Sequence, residues 1–212
     1  MLRLSNLDTA ERFFAEHGAL ALSNRRLEAV AGMDDATAPG HHFGTKADLV
    51  AAIVRRFTVG VEASRARLLA EMDSSAGLRD LLGCLLYPWT DHFAQRGTTY
   101  FARLCAHAMA DPTLKTVITE EARLSPTLRD TCDALKDRLP PMPEEIAAQR
   151  GNIVSQVIVH MCAERETAVA AGAPGTRSSW RGTAVGLIDV VAGIWAAPRT
   201  AVSQAVDLGR RT

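Results

Sequence analysis

Apolar residues recur at spacings of three and four along almost the whole chain, and no long segment alternates apolar with polar residues. An α-helix has 3.6 residues per turn, so this spacing places the apolar side chains on one helical face. A half-buried strand would need the period of two that is missing. The pattern therefore predicts an all-α protein.

The first part of the chain carries helix start and stop signals at short intervals. Ser5 and Asp8 have the spacing of a capping box, and Gly18 ends the helix that they predict. A second short helix is predicted from a cap at Ser23 or Asn24 as far as Gly32, and a third over about 35–43. The inner face of the first helix carries Leu7, Ala10 and Phe14.

A long helix is predicted to follow, because Thr45 and Asp48 repeat the capping-box spacing. Leu49, Ile53 and Phe57 form its inner stripe. Three short helices joined to a long one predict a helix-turn-helix head over residues 1–60.

The rest of the chain predicts a helical bundle over 61–200 and a C-terminal tail over 201–212. Its helices are expected at about 78–89, 100–109, 113–138 with a break at Pro126, 144–171 and 179–197, the last ended by Pro198.

The charges give no overall field, since 24 Lys and Arg residues balance 24 Asp and Glu residues. Any binding to DNA must then depend on local placement of charge. The longest apolar region, about 184–197, contains Asp189, and the N-terminus lacks the pattern of a secretory signal. We therefore expect a cytoplasmic protein with no membrane partner, whose four separated cysteines are reduced.

Two segments, Leu27–Met33 (LEAVAGM) and His41–Leu49 (HHFGTKADL), resemble the DNA-binding head of the tetracycline-repressor (TetR) family. The resemblance lies in a short helix ending in Ala-Gly, then His-Phe-Gly, then a hydroxyl residue and a base that open the next helix. It implies a head that binds double-stranded DNA and a helical body that binds an effector and forms a homodimer.

Helix-start physics and the resemblance together give a predicted DNA interface. Ser23 and Asn24 lie at a predicted helix start, where free backbone N–H groups attract a phosphate, and Arg25 and Arg26 follow directly. The alternative is that Ser23 only caps the helix and that the two arginines are solvated. The resemblance implies that Asp35, Ala36, Thr37, Ala38 and Gly40 face the bases, and that His41 and Lys46 contact phosphates.

The predicted recognition segment departs from a typical groove-reading helix. It contains Asp34, Asp35, Pro39 and Gly40 but no Lys or Arg, whereas base readout normally uses donors and positive charge. A dimeric small-molecule-binding protein that has lost DNA affinity is therefore a second hypothesis.

The larger half carries the mixture of aromatic and polar residues expected of a largely apolar effector pocket, although a solid core is the alternative. The predicted ligand-binding residues are Trp89, Phe93, Tyr100, Phe101, Leu104, His107, His160 and Met161.

Enzyme chemistry has little support in the sequence. His160 and Glu164 share a helical face, which suggests a third hypothesis of a helical-bundle metalloenzyme, but no second Glu-x-x-His motif is present. His41-His42 likewise lacks further ligands nearby, and the motifs of common enzyme classes are missing. We expect a non-enzymatic protein without a cofactor.

The last two long helices each carry a charge-free stripe, and Gly186 and Gly193 would allow close approach. The residues predicted for the dimer interface are Ile153, Val157, Ala184, Leu187, Ile188, Val191 and Trp195. The resulting hypothesis is a homodimeric repressor that binds a roughly palindromic operator and is released by a small molecule.

Overall fold

The computed structural model describes residues 2–18, 45–172 and 179–198, and every regular element in these ranges is an α-helix. The helices are α1 (Leu2–His17), α2 (Lys46–Ala70), α3 (Leu78–Arg96), α4 (Phe101–Ala108), α5 (Pro112–Arg123), α6 (Pro126–Arg138), α7 (Glu144–Ala170) and α8 (Trp180–Ala196). The predicted all-α class is confirmed.

The start of α1 differs from the prediction. The helix begins at Leu2, so position 5 lies inside it and Ser5 is not its cap. Nothing in residues 2–4 is a helix breaker, so the capping spacing alone does not stop the helix there. The Asp8 carboxylate is instead 2.8 Å from Nη1 of Arg56 on α2, which makes it an inter-helix partner.

The start of α2 agrees with the prediction. The Asp48 backbone N–H donates to the Thr45 hydroxyl at 3.2 Å, and the Thr45 N–H donates to the Asp48 carboxylate at 3.0 Å. The predicted stripe of Leu49, Ile53 and Phe57 is buried. α2 passes without a break through position 60, where the sequence places the boundary between head and body.

The body follows the predicted helix order closely. The break at Pro126 is confirmed, because Ser125 caps α6 by accepting the Leu128 N–H at 3.1 Å. Helices α3 and α8 run antiparallel: Arg181 approaches Asp91 at 3.8 Å, and Arg79 pairs with Asp189 further along. α7 packs on both α4 and α8. None of the described helices combines the length and apolarity needed to cross a membrane.

Pro88 lies inside α3, where the sequence analysis expected no special feature. A proline has no N–H, so the carbonyl four residues earlier loses its helical partner. That carbonyl belongs to Cys84, and it accepts a hydrogen bond from Nε of Arg65 on α2 at 3.3 Å. A buried arginine thus replaces the missing backbone donor.

The same arginine joins three helices. Arg65 is 1% exposed, and its Nη1 also lies 3.4 Å from the Thr127 hydroxyl at the start of α6. Glu62, one turn earlier on α2, accepts from the Ser125 hydroxyl at 2.6 Å and from the Thr127 N–H at 2.9 Å. Burial opposes ionisation of Glu62, but these hydrogen bonds outweigh it and hold its pKa below the usual value.

Candidate functional site

Most of the predicted DNA interface lies outside the described residues: Ser23, Asn24, Arg25, Arg26, Asp35, Ala36, Thr37, Ala38, Gly40 and His41. Lys46 lies within them, as the first residue of α2 and partly exposed. The capping box of Thr45 and Asp48 fixes the direction in which α2 leaves this point.

An aromatic cluster occupies the centre of the predicted effector site. The rings of Phe57 and Phe101 stack with centroids 3.7 Å apart, and Trp89 meets Phe57 edge-on at 5.1 Å. Phe93 lies 4.8 Å from Trp180 between centroids. The structure thus brings together three of the predicted ligand-binding residues, Trp89, Phe93 and Phe101. Phe57 of α2 and Trp180 of α8 complete the cluster.

The space left beside this cluster is small. A cavity of about 20 Å³ lies between the rings of Phe57, Phe93 and Phe101 and the side chains of Arg56 and His92. This volume accommodates about one water molecule and no larger ligand. Burial lowers the pKa of His92, and the neighbouring positive charge of Arg96 adds to that shift. The described conformation therefore has a closed aromatic cluster.

The remaining predicted pocket residues are spread over different surroundings. Leu104 is buried in the same core, and Tyr100 faces Arg103, whose guanidinium carbon lies 4.9 Å from the ring centroid. His107, His160 and Met161 are exposed. The structure therefore does not bring these three into the aromatic cluster.

The histidines of the sequence hypotheses have other neighbours. A Cβ at Gly18, which ends α1 with φ +76°, would lie 3.5 Å from Nδ1 of His107, so this side chain packs against the end of α1. Nδ1 of His160 lies 2.9 Å from the Gln156 carbonyl oxygen. Within the described ranges, no three His, Cys, Asp or Glu side chains gather in a metal-binding group, so the metalloenzyme hypothesis gains no ligand set there.

A second set of contacts links α1 to the body. Arg56 of α2 pairs with Glu11 as well as with Asp8. Burial raises the pKa of Glu11 even though the Arg56 charge opposes that shift. α1 also packs on α4, the short helix that follows the aromatic cluster. The position of the first helix is thus tied to α2 and α4 together.

Glu166 anchors α4 from α7. Its carboxylate accepts the backbone N–H groups of Ala102 at 3.2 Å and Arg103 at 2.9 Å, in the first turn of α4. Glu166 is 1% exposed; burial raises its pKa, and these hydrogen bonds partly offset the shift. The sequence pattern does not single out Glu166, although this residue lies on the apolar stripe of Val159 and Cys162, four residues after the cysteine.

The outward faces of α7 and α8 differ from the prediction. Ala184, Leu187, Ile188 and Val191 are buried against the protomer's own core, so their side chains are not available to a partner subunit. Trp195 is partly buried, beside Gly151 of α7. Because α8 is apolar on nearly all sides, its spacing alone does not show which side faces inward.

Other residues of these helices point outward. Of the six large hydrophobic side chains that are strongly exposed in the described ranges, four lie on α7 and α8: Ile153, Met161, Val185 and Val190. Val157 is half-buried between Ile153 and Met161. Space is also open around Gly186 and Gly193, where an added Cβ would meet no atom within 4 Å.

Comparison with known proteins identifies the body. A search of curated proteins gives no match. A family model described as "Tetracyclin repressor-like, C-terminal domain" matches residues 83–193, from the first turns of α3 nearly to the end of α8. The match covers the Glu166 anchor, the outward faces of α7 and α8 and every ring of the aromatic cluster except that of Phe57. The chain therefore belongs to the tetracycline repressor-like family of regulators.

Proposed function

We propose that this protein is a cytoplasmic transcriptional repressor that binds a roughly palindromic operator as a homodimer and leaves it when a small molecule binds the body. The observation that carries the proposal is the family match over residues 83–193. The sequence of the head supports it through the segments around Leu27–Met33 and His41–Leu49.

The outward faces of α7 and α8 support the homodimer. Glycine inside a helix costs about 1 kcal/mol relative to alanine, yet no contact within the protomer excludes a side chain at Gly186 or Gly193. Exposed Ile153, Met161 and Val190 lie on the same two helices. A twin pair of helices packed closely on this surface would account for both the glycines and the apolar side chains.

The aromatic cluster supports a largely apolar effector. Phe57, Trp89, Phe93, Phe101 and Trp180 offer several ring faces, while the adjoining cavity of about 20 Å³ holds no drug-sized molecule. An effector at this position must separate these rings to enter. Since Phe57 belongs to α2, its displacement would be passed to the helix that carries the head.

DNA binding is tested by gel shift against the DNA upstream of the protein's own gene, over a range of salt concentrations. The expected result is a specific complex whose affinity falls steeply with salt. Lys46→Ala should weaken binding to all sequences, because the lysine contacts a phosphate. The slope of log affinity against log salt concentration should become shallower by about one per subunit. Arg129→Ala, an exposed arginine on α6, is the matched control and should leave binding unchanged.

The same assay separates the two leading hypotheses. The acidic segment with Asp34 and Asp35 motivates a family member that binds a small molecule without binding DNA. Absence of any specific, salt-sensitive complex at low salt would reject the repressor and leave that second function. Thr37→Ala should change the preference among operators rather than the general affinity.

A further inference from the structure

The cavity of about 20 Å³ beside the aromatic cluster has a lining of two chemical kinds. Three rings are apolar, those of Phe57, Phe93 and Phe101. The other lining residues are polar and come from α1, α2, α3 and the turn before α4: Glu11, Arg56, His92, Arg96 and Thr99. Rings and charges together fit a ligand that has a flat apolar body and a charged head group.

Hydrogen-bond donors dominate the polar part of this lining. Arg56 and Arg96 are cations, and the lowered pKa of His92 favours its neutral form at neutral pH. Among the described residues that line the cavity, Glu11 is the only one with a carboxylate. Asp8 pairs with Arg56 from outside the lining and is more than half exposed. A negatively charged head group therefore fits this cavity better than a positive one.

Two buried donors in the lining lack a hydrogen bond. Nη1 of Arg56 lies 2.8 Å from the Asp8 carboxylate, but none of its N–H groups points at that oxygen. Thr99 is 8% exposed, and its hydroxyl makes no hydrogen bond of good geometry, although it lies close enough to Glu166 to lower the pKa of that carboxyl. A buried donor without an acceptor is destabilising, so an acceptor placed in the cavity would be stabilised by both groups.

Glu11 already places a carboxylate at this point. Its side chain is 13% exposed and pairs with Nη2 of Arg56. Burial raises the pKa of Glu11, so the ionised form is less stable here than in water. The Glu11 carboxylate regains hydration when it leaves Arg56, and this gain offsets the hydration that an incoming carboxylate loses.

We propose that the effector is an aromatic carboxylic acid whose ring enters the aromatic cluster beside Phe57 and whose carboxylate takes the place of Glu11 at Arg56. This inference rests on the proposed function, since it names the class of effector for the same site. The exchange frees α1 from α2, and the ring separates Phe57 from Phe101. Both changes act on helices that form or carry the head.

Isothermal titration calorimetry of the full-length protein tests the class of ligand. Benzoate, phenylacetate and 2-naphthoate are each compared with the neutral amide of the same shape, and benzylamine serves as the cationic probe. The best acid should bind at least about tenfold more tightly than its amide, which is the effect of one charge-assisted hydrogen bond. An amide or amine that binds as tightly as the acids would overturn the proposal, as would a dissociation constant above about 1 mM for every acid.

Substitutions at two neighbouring positions of α2 locate the head group of the ligand. Arg56→Met removes the guanidinium and should lower the affinity for the acid at least about tenfold, while the affinity for the amide stays the same. Arg55→Met is the matched control, because Arg55 is 63% exposed, pairs with Glu121 and lies outside the cavity lining. An unchanged preference for the acid in Arg56→Met, or an equal loss in both variants, would overturn the proposal.

Glu11→Gln tests the exchange of carboxylates even if Arg56→Met does not fold. Glutamine keeps the size of the side chain but competes less well for Arg56, so the acid should bind at least about threefold more tightly. Glu16→Gln alters an exposed glutamate on the same helix, whose partner is Arg12, and should leave the affinity unchanged. An affinity for the acid that is the same or weaker in Glu11→Gln would overturn the proposal.

A gel shift with the tightest-binding acid separates this inference from the proposed function. Release of the DNA is expected. An acid that binds in calorimetry and leaves the DNA complex intact would reject release by the effector and support the ligand class alone. A specific DNA complex from a protein that shows no preference for acids would reject the ligand class and leave the DNA-binding function.

Discussion

Glu166 supplies a cap that α4 lacks. Tyr100 precedes α4 and makes no side-chain cap, so the first N–H groups of the helix need another acceptor. The carboxylate of Glu166 provides it from α7, and a negative charge at a helix N-terminus is also favoured by the helix dipole. A buried carboxylate thereby sets the position of the helix that packs on α1.

The raised pKa of Glu166 predicts a particular dependence of stability on pH. A carboxyl group whose pKa is raised on folding holds its proton more tightly in the native state than in the unfolded state. It therefore reduces stability as the pH rises above 4.5, the ordinary pKa of a glutamate. Glu166→Gln cannot ionise. The free energy of unfolding of this variant, relative to that of the wild type, should therefore increase between pH 4.5 and pH 7, which urea titrations at several pH values measure.

Glu164→Gln is the matched control, since Glu164 is exposed on the same helix. Its unfolding free energy relative to wild type should change less over this pH interval. A relative stability of Glu166→Gln that falls with rising pH would contradict the prediction.

The capping signals show how far single residues can be predicted from the sequence. Thr45 and Asp48 form the expected capping box, whereas Ser5 and Asp8 have the same spacing and do not. The helix that contains them begins at Leu2, so position 5 lies inside it, and the Asp8 carboxylate lies beside Arg56 of α2 instead. The role of Glu166 depends on α4, more than 60 residues earlier, so spacing along the chain could not reveal it.

The Pro88 position in α3 is stabilised through a partner helix. Arg65→Met leaves the buried Cys84 carbonyl without a donor, and an unsatisfied buried polar group costs about 1–3 kcal/mol, so the unfolding free energy should fall by about 2 kcal/mol. Chemical denaturation measures the loss. An effect below about 1 kcal/mol would show that Arg65 does not hold α2, α3 and α6 together.

A double-mutant cycle isolates the contact with Cys84. Pro88→Ala restores the backbone donor to the Cys84 carbonyl, so Arg65→Met should cost about 1 kcal/mol less in that background. Additive effects of the two substitutions would mean that Arg65 acts through Glu62, Ser125 and Thr127 alone.

Helix order and helix faces differ in how well the sequence predicts them. The break at Pro126 and the ends of α7 and α8 agree to within a residue or so, because prolines and glycines limit these helices locally. For α8, by contrast, the sequence pattern predicts that the side which is buried in the protomer faces a partner subunit. Which side of α8 faces inward depends on how the helix packs against α3, and the spacing of residues within α8 gives no information about that packing.

The proposed homodimer can be tested on the assembled protein. Gly186→Leu should raise the dimer dissociation constant at least about tenfold, since a side chain there would separate the two helix pairs. Analytical ultracentrifugation measures the constant. Within the protomer the space is open, so the monomer should keep its fold.

Glu120→Leu, which adds the same side chain on exposed α5, controls for a general effect of surface leucine. The dimer constant should be unchanged in this variant. A Gly186→Leu protein that dimerises as tightly as wild type would place the interface elsewhere.

The continuity of α2 has a mechanical consequence. Its 25 residues form a rod of about 37 Å that begins at Lys46 and passes both Phe57 and the Arg65 junction. Such a rod acts as a lever: a tilt of about 10° at the body end would swing the other end by about 6 Å, close to the rise of two base pairs along one strand. In the proposed dimeric repressor, a modest adjustment among a few rings would thus be enough to put the two heads out of register with successive turns of the duplex.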